Sequence, residues 1–327
     1  VIHRAVQLWQ EQEQNQDWNQ IPFHPGWLVL AGLFYLVGWL PSVWFWRTMI
    51  RRVGGRVRFD DAARAYYCGH LGKYVPGKAT VLVIRSALLK DRGAPISVSV
   101  LTVTCETLMM MSTGIAVAVS LLPWLVSTEQ TAEWPSWAQE ILKFPWLPGV
   151  IVVTSCLILS PIIASLLTLL AVKFTPKGMM GGESRVRITS QLVIQGLLAF
   201  TVSWMLHGLS LGFTLRSVSD SVSWSQWPVW TGAVAGGTSV GFAAIFAPGG
   251  LGVRELLLLT VLEAQPSIKG PQAAVVPFLF RVVSFVSEIC MAVVLYYFVR
   301  GKAPNLNNPA AQQTTSPEKT HSDSSSA

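Results

Sequence analysis

Long apolar stretches alternate with short polar loops along the chain. Five stretches reach the roughly 20 apolar residues that a helix needs to cross a hydrocarbon layer about 30 Å thick. Every backbone N–H and C=O group inside that layer must be bonded within the protein, which favours helices. The pattern therefore predicts an all-α, polytopic integral membrane protein. The predicted spans are Trp27 to Trp46, Ser97 to Pro123, Leu147 to Val172, Gln191 to Leu215 and Ala274 to Val299.

Two further apolar segments are interrupted by proline and glycine. One runs from Ala65 to Leu89, and the other, from Val229 to Leu262, is too long for one span. Proline removes a donor and glycine frees the backbone, so each break leaves polar main-chain groups that hydrocarbon cannot satisfy. Each segment is therefore predicted to be a re-entrant pair of half-helices. The residues at the breaks are Pro76, Gly77, Pro248, Gly249, Gly250 and Gly252.

The two breaks have the same order of residue types: an aromatic residue and a small apolar residue precede Pro-Gly, and an arginine follows. Paired broken helices in two halves of a chain are a sequence indication of a transporter's midplane binding site. We therefore expect the two re-entrant segments to enter from opposite faces and to form a cavity between them. The alternative is that proline and glycine only kink ordinary spans, as they often do in membrane proteins.

Composition agrees with a membrane protein and excludes several other classes. The chain is 51% hydrophobic and 13% charged, with a mean hydropathy of +0.45. Its net charge of +7 comes largely from loop residues, which indicates orientation at an anionic lipid surface and not nucleic-acid binding. The four cysteines are scattered without a C-x-x-C pair, so neither a metal site nor a cofactor is expected.

The charges of the loops predict an orientation. The loop after the first span carries six arginines between Arg47 and Arg64, which places it in the cytoplasm of a cell, or inner, membrane. The loop between Trp124 and Trp146 is acidic and tryptophan-rich, and is predicted to lie outside. Residues 1–26 would then be an external polar segment, with an upstream helix missing, and residues 27–300 the transmembrane domain. Residues 301–327 have the composition of a disordered cytoplasmic tail.

Several charged residues lie in apolar surroundings, where each costs about 2.5 to 3.5 kcal/mol or more unless it is paired or hydrated. Glu106 and Glu288 are expected to face the bundle or water, whereas for Arg281 snorkelling to the interface competes with a site role. Glu255 is placed to cap the half-helix after Gly252. Arg254 opposes the helix dipole there and is expected to need a nearby anion, either Glu255 or a ligand phosphate.

Two sequence patterns resemble enzyme motifs but lack the required context. Gly72 to Lys78 matches most of a P-loop, yet Ala79 stands where the magnesium-binding hydroxyl belongs. Gly237-x-Ser239-x-Gly241 matches a serine nucleophile elbow but lies in a glycine-rich apolar helix, where small residues serve close packing. His207 is interpreted as a hydrogen-bonded core histidine. No credible catalytic motif remains, and the chain is predicted not to be an enzyme.

With these residues in view, the sequence between about Trp44 and Tyr297 resembles the transmembrane, flippase-like domain of lysylphosphatidylglycerol synthases and their stand-alone relatives. Its most specific element is the run from Phe246 to Glu255, FAPGGLGVRE, followed by the arginine-bearing last span. The first break, with Arg85, and the glutamate of the next span, Glu106, also match the family pattern. No soluble synthase domain follows in this sequence.

The resemblance implies lipid movement or lipid binding. We expect a cavity for the headgroup of an anionic or aminoacylated phospholipid, or of another polar lipid, with membrane phospholipids as partners. A homo-oligomer or a separate lipid-modifying enzyme is a further candidate partner. Two rival interpretations stay open: a membrane enzyme or subunit acting on lipid-linked sugars, and a structural partner in envelope assembly. The candidate headgroup-binding residues are Lys78, Arg85, Glu106, Arg254, Glu255, Arg281 and Glu288.

Overall fold

The computed structural model describes residues 22–75, 79–126, 128–174, 188–244, 250–266, 268 and 270–299. Helices are the only regular secondary structure in these ranges. Two short 3₁₀ turns, Leu71–Tyr74 and Trp224–Gln226, lie between α-helices. The α-helices are α1 Pro25–Gly38, α2 Leu40–Arg52, α3 Phe59–His70, α4 Ala79–Leu89, α5 Ile96–Ser120, α6 Leu122–Leu125, α7 Thr128–Thr131, α8 Ser136–Leu142, α9 Leu147–Phe174, α10 Ser190–Arg216, α11 Trp227–Ala243, α12 Val253–Glu263 and α13 Gly270–Phe298.

The five predicted spans are confirmed, with ends displaced by a few residues. Five helical stretches of the described chain are long and apolar enough to cross a membrane: α1 with α2, then α5, α9, α10 and α13. The first span is two helices that meet at Trp39, because Pro41 opens α2 and supplies no backbone N–H to continue the ladder. The chain is an all-α polytopic membrane protein.

Helix α10 is the centre of the bundle. It packs against α1, α2, α5 and α11. Within its most hydrophobic stretch, 50% is buried inside the bundle. Helix α9 is the opposite case, since it is the most apolar span and the least buried. Its exposed leucines and isoleucines are expected where a helix faces lipid on most of its circumference.

Each interrupted segment contains one helix before its break and one after it. That these pairs are re-entrant stays a prediction. Helix α3 packs against α4, and α11 packs against α12, so each pair forms a hairpin and not one kinked span. Close backbone approach requires glycine here: a Cβ on Gly72 would lie 2.7 Å from the Val81 nitrogen, and Gly241 lies against Gly250. Residues 76–78 and 245–249, with Pro76, Gly77, Pro248 and Gly249, lie outside the described residues. The side of the membrane from which each hairpin enters stays a prediction.

A single methyl group at the α10–α11 contact is expected to destabilise the bundle. A Cβ on Gly208 would lie 2.3 Å from Thr231 Oγ1 and 2.7 Å from its Cα, so the two helices would have to separate. Gly208→Ala should lower the free energy of unfolding by about 1 to 3 kcal/mol, which is typical of overpacking. Thermal unfolding of the detergent-solubilised protein measures this.

Gly26→Ala is the matched control, because nothing lies within 4 Å of a Cβ at Gly26 in α1. Both substitutions make the same chemical change in a helix, so the difference between the two melting temperatures isolates the helix–helix contact. Equal melting temperatures for the two variants would contradict the close approach of α10 and α11.

Candidate functional site

A cavity of about 470 Å³ lies where the two hairpins face each other inside the bundle. Both hairpins contribute to its wall, as do α1, α5 and α10. The wall combines apolar side chains with a group of polar and aromatic ones. The polar and aromatic members are Tyr35, Trp39, Tyr66, His70, Lys73, Arg85, Thr104, Glu106, Thr107, Trp204, His207, Thr238, Phe242 and Arg254.

Arg85 and Glu106 form a buried ion pair in this wall. Arg85 Nη1 lies 2.9 Å from Glu106 Oε2, and the two residues are only 3% and 1% exposed. The Tyr66 hydroxyl donates to the other carboxylate oxygen of Glu106 at 2.8 Å. The Arg85 guanidinium also lies over the Tyr66 ring, 3.7 Å from its centroid. Glu106 is therefore satisfied by one cation and by two hydroxyls, those of Tyr66 and, at 3.5 Å, Thr107. Arg85 is held by charge and by an aromatic face.

The sequence lets Arg85 reach this position because α3 carries a small residue opposite it. A Cβ on Gly69 would lie 2.5 Å from Arg85 Cγ, so only glycine leaves room for the arginine stem between α3 and α4. His70 lies beside the guanidinium, with Nδ1 3.4 Å from Arg85 Nη2. The first hairpin thus packs around the arginine that follows its break.

A second ion pair ties the 3₁₀ turn to the last span. Glu288 in α13 is buried and pairs with Lys73. The Tyr74 hydroxyl donates to Glu288 Oε2 at 3.0 Å, and the Tyr35 hydroxyl donates to Oε1. Glu288 itself lies behind the wall, whereas Lys73 and Tyr35 line the cavity. The expectation that this carboxylate faces the bundle is confirmed.

A third ion pair fixes the start of α12. Glu255 pairs with Arg281 of α13 and also accepts a hydrogen bond from the Gly252 backbone N–H at 2.7 Å. Gly252 has φ +85°, a left-handed conformation that favours glycine. Glu255 therefore caps the helix as expected, and Arg281 has a buried carboxylate as its partner. Neither residue lines the cavity.

Arg254 lines the cavity without a counter-charge. It is 9% exposed, and its guanidinium lies 5.0 Å from the centroid of the Phe280 ring. Among the residues that the structure describes, none forms an ion pair with it. Its sequence neighbour Glu255, one of the two anions expected for it, is engaged by Arg281. Arg254 is therefore a buried cation at a helix N-terminus that faces the cavity with no ion-pair partner in the described part of the chain.

Part of the wall consists of stacked rings. Trp39 contacts His70 and His207, with ring centroids 4.1 Å and 4.5 Å apart. The Trp39 indole N–H meets no acceptor within the described ranges, and neither nitrogen of His207 has a partner at hydrogen-bonding geometry there. His207 is buried, as expected, but the hydrogen bond predicted for it is not found among the described residues, and its ring borders the cavity.

Of the seven headgroup-binding residues predicted from the sequence, the structure brings three to the cavity wall: Arg85, Glu106 and Arg254. Glu255, Arg281 and Glu288 lie behind the wall in ion pairs, and Lys78 lies outside the described residues. Sequence reasoning did not place Lys73 at the site, and it missed most of the aromatic wall. One available signal was the spacing of Tyr66 and His70, which places both on one face of α3.

A comparison with models of protein families shows to which family the chain belongs. The family model for the lysylphosphatidylglycerol synthase TM region matches residues 15–291. The chain belongs to this family. The match includes both hairpins, every residue that lines the cavity, and the three ion pairs behind and within its wall. No curated protein sequence matches the chain. Family membership supports a multi-pass membrane protein whose function relates to membrane lipids.

Proposed function

We propose that the protein binds the polar headgroup of a membrane lipid in the cavity between its two hairpins and moves that lipid across the cell membrane. The lipid would be an anionic or aminoacylated phospholipid, or another polar lipid. The observation that carries the proposal is a charged cavity inside a bundle of membrane-spanning helices. In this proposal the hairpins enter from opposite faces, and the C-terminus lies in the cytoplasm.

The cost of the buried charges supports a functional role. A charged side chain near the centre of a bilayer costs about 2.5 to 3.5 kcal/mol or more unless it is paired or hydrated. Replacing a buried ion pair by apolar side chains of similar volume often leaves stability unchanged or raises it, so stability alone does not require such charges. Arg85, Glu106 and Arg254 nevertheless border one cavity. A site for a polar ligand at membrane depth explains why these charges are there.

The boundary of the cavity supports a lipid in preference to a fully water-soluble ligand. Leu108 of α5 lines the cavity and is 57% exposed on the surface of the bundle, and Phe242 of α11 is likewise a lining residue with an exposed face. An apolar edge of this kind would let acyl chains stay in the surrounding hydrocarbon while the headgroup occupies the polar interior. Movement would then be facilitated or coupled to an ion.

The carboxylates favour binding over catalysis. Glu106 is held by Arg85 and the Tyr66 hydroxyl, and Glu288 is held by Lys73 and two tyrosine hydroxyls. A general acid or base needs a proton-transfer path to the substrate and an unoccupied lone pair or proton. Both carboxylates are instead paired with a cation and with tyrosine hydroxyls, and Glu288 does not line the cavity. We therefore propose a non-enzymatic role, with any chemistry on the lipid performed by a separate enzyme.

Filling the cavity should stop the movement of lipid. Thr238 of α11 lines the cavity, and Thr238→Trp would place an indole in it without changing any charge. In liposomes made from extracted native lipids with a fluorescent lipid tracer, a leaflet-exposure assay should show rapid exchange for the wild type and a rate near that of protein-free liposomes for the variant. Thr107→Trp, from α5, should act in the same way.

Thr260→Trp is the matched control, because Thr260 is exposed on α12 and does not line the cavity. Size-exclusion profiles check that all three variants remain folded. Exchange by both cavity variants at the wild-type rate would show that lipid does not pass through this cavity, and the proposed function would be wrong.

A further inference from the structure

Resting on the proposed function, we infer that Trp39 and His207 form a subsite for a free hydroxyl group of the lipid headgroup, such as a glycerol or a sugar carries. Trp39 lies at the junction of α1 and α2, and His207 lies in the central helix, α10. Both residues line the cavity, and they are only 7% and 1% exposed. Their ring centroids are 4.5 Å apart, so one small polar group in the cavity can reach both side chains.

The polar atoms of these two side chains lack partners in the protein. The Trp39 indole N–H and both ring nitrogens of His207 are buried and meet no hydrogen-bond partner among the described residues. Each residue lies near the middle of a membrane span, Pro25–Arg52 or Ser190–Arg216, where the surrounding hydrocarbon cannot supply a partner. A buried polar group that stays unpaired is costly. Because both groups border the cavity, we assign the missing partner to the molecule that the cavity binds.

Together, the two side chains require a group that both donates and accepts hydrogen bonds. The indole N–H of Trp39 only donates, whereas a neutral imidazole has one donor nitrogen and one acceptor nitrogen. The neutral form of the imidazole fits here, because the wall already holds three cations, Lys73, Arg85 and Arg254. An ionised phosphate only accepts hydrogen bonds, and an ammonium group only donates them. A hydroxyl group does both, so it is the headgroup chemistry that matches this pair.

The hydroxyl subsite distinguishes lipids that the cations of the wall do not. Arg254 has no ion-pair partner among the described residues and suits the phosphate that all phospholipids share. Trp39 and His207 instead favour a headgroup that ends in hydroxyl groups over one that ends in a methyl or choline group. The hydroxyl could belong to a lipid or to a soluble polyol, and the apolar edge of the cavity at Leu108 and Phe242 assigns it to a lipid.

The test compares two fluorescent lipids of equal charge in proteoliposomes that contain the full chain. Phosphatidylglycerol and phosphatidylmethanol have the same phosphate and the same net negative charge, but only phosphatidylglycerol has free hydroxyl groups in its headgroup. Phosphatidylglycerol should exchange between the leaflets about tenfold faster, equivalent to about 1.4 kcal/mol of discrimination. The reason is that phosphatidylmethanol leaves the buried acceptor of His207 without a donor.

Two substitutions in the subsite should bring the ratio of the two exchange rates close to one. Trp39→Phe keeps an aromatic ring and removes only the indole N–H, and His207→Leu removes both ring nitrogens. Trp230→Phe is the matched control, because the Trp230 indole N–H is also buried without a partner in the described chain but does not line the cavity. This control should keep the wild-type ratio. The ratio of the two rates is the quantity to compare, because a general loss of folded protein lowers both rates equally.

The outcomes separate this inference from the proposed function. If the wild type exchanges both lipids equally and faster than protein-free liposomes, water alone satisfies the two side chains, and the subsite is overturned while lipid movement stands. A wild-type ratio in both Trp39→Phe and His207→Leu would overturn the assignment to these residues. In thermal unfolding, stabilisation by soluble glycerol phosphate as large as that by phosphatidylglycerol would overturn the assignment to a lipid. No exchange of either lipid above the protein-free rate would overturn the proposed function together with the inference.

Discussion

Glu106→Ala is expected to lower the free energy of unfolding by about 3 to 5 kcal/mol, the cost of removing one partner from a buried ion pair. The substitution leaves the Arg85 guanidinium, which is 3% exposed, without its counter-charge. It also removes the acceptor of the Tyr66 hydroxyl. Both losses act at the contact between α3, α4 and α5, so the first hairpin should loosen. Thermal or denaturant unfolding in detergent measures the change.

Two comparisons show that the buried charge is responsible. Glu140→Ala removes a glutamate of an exposed pair with Lys143, and a pair of that kind contributes about 0 to 1 kcal/mol. The double variant Glu106→Ala with Arg85→Met removes both buried charges, and it should be more stable than Glu106→Ala alone. If Glu106→Ala were no more destabilising than Glu140→Ala, the ion pair would not be buried in the way described.

The sequence was sufficient to predict the membrane spans because their physical requirement is local. About 20 consecutive apolar residues are needed wherever a helix crosses hydrocarbon, and no distant contact changes that number. The breaks were predictable for the same reason, since proline and glycine act on the backbone where they stand. The division of the first span at Trp39 followed the same rule at Pro41 but was not anticipated.

The pairing of the charges could not be predicted, because each partner is chosen by the packing of distant helices. Lys73 and Glu288 are 215 residues apart in the sequence and meet only when α13 packs against the first hairpin. From the sequence, Glu255 was one of two anions expected to pair with its neighbour Arg254. In the structure, Glu255 forms an ion pair with Arg281. Arg254 is then left without an ion-pair partner among the described residues, and no local sequence pattern indicates this.

The aromatic wall shows the same limit. Trp39, His70 and His207 come from three parts of the chain, and each alone is an ordinary apolar or core residue of a helix. Only the fold brings their rings together beside the cavity. Helix faces could be predicted from periodicity, but the choice of which faces enclose a polar space depends on the packing of distant helices, such as α10 against α1, α5 and α11.

The central claim, that a polar hollow lies between the hairpins at membrane depth, is tested most directly by cysteine accessibility. In a background in which Cys68, Cys105, Cys156 and Cys290 are replaced by serine, Thr107→Cys and Thr238→Cys place thiols on the cavity wall. A small hydrophilic thiol reagent should label both, because the thiolate that reacts forms only where water reaches the sulfur. Ile158→Cys, on the exposed face of α9, is the control for a position that faces lipid.

The account predicts near-complete labelling of Thr107→Cys and Thr238→Cys, almost none of Ile158→Cys, and slower labelling at the two cavity positions when phosphatidylglycerol is added. The size of this contrast is set by the difference between water and hydrocarbon, so it should be the largest effect of any measurement described above. Labelling of the two cavity positions as slow as that of Ile158→Cys would contradict the account.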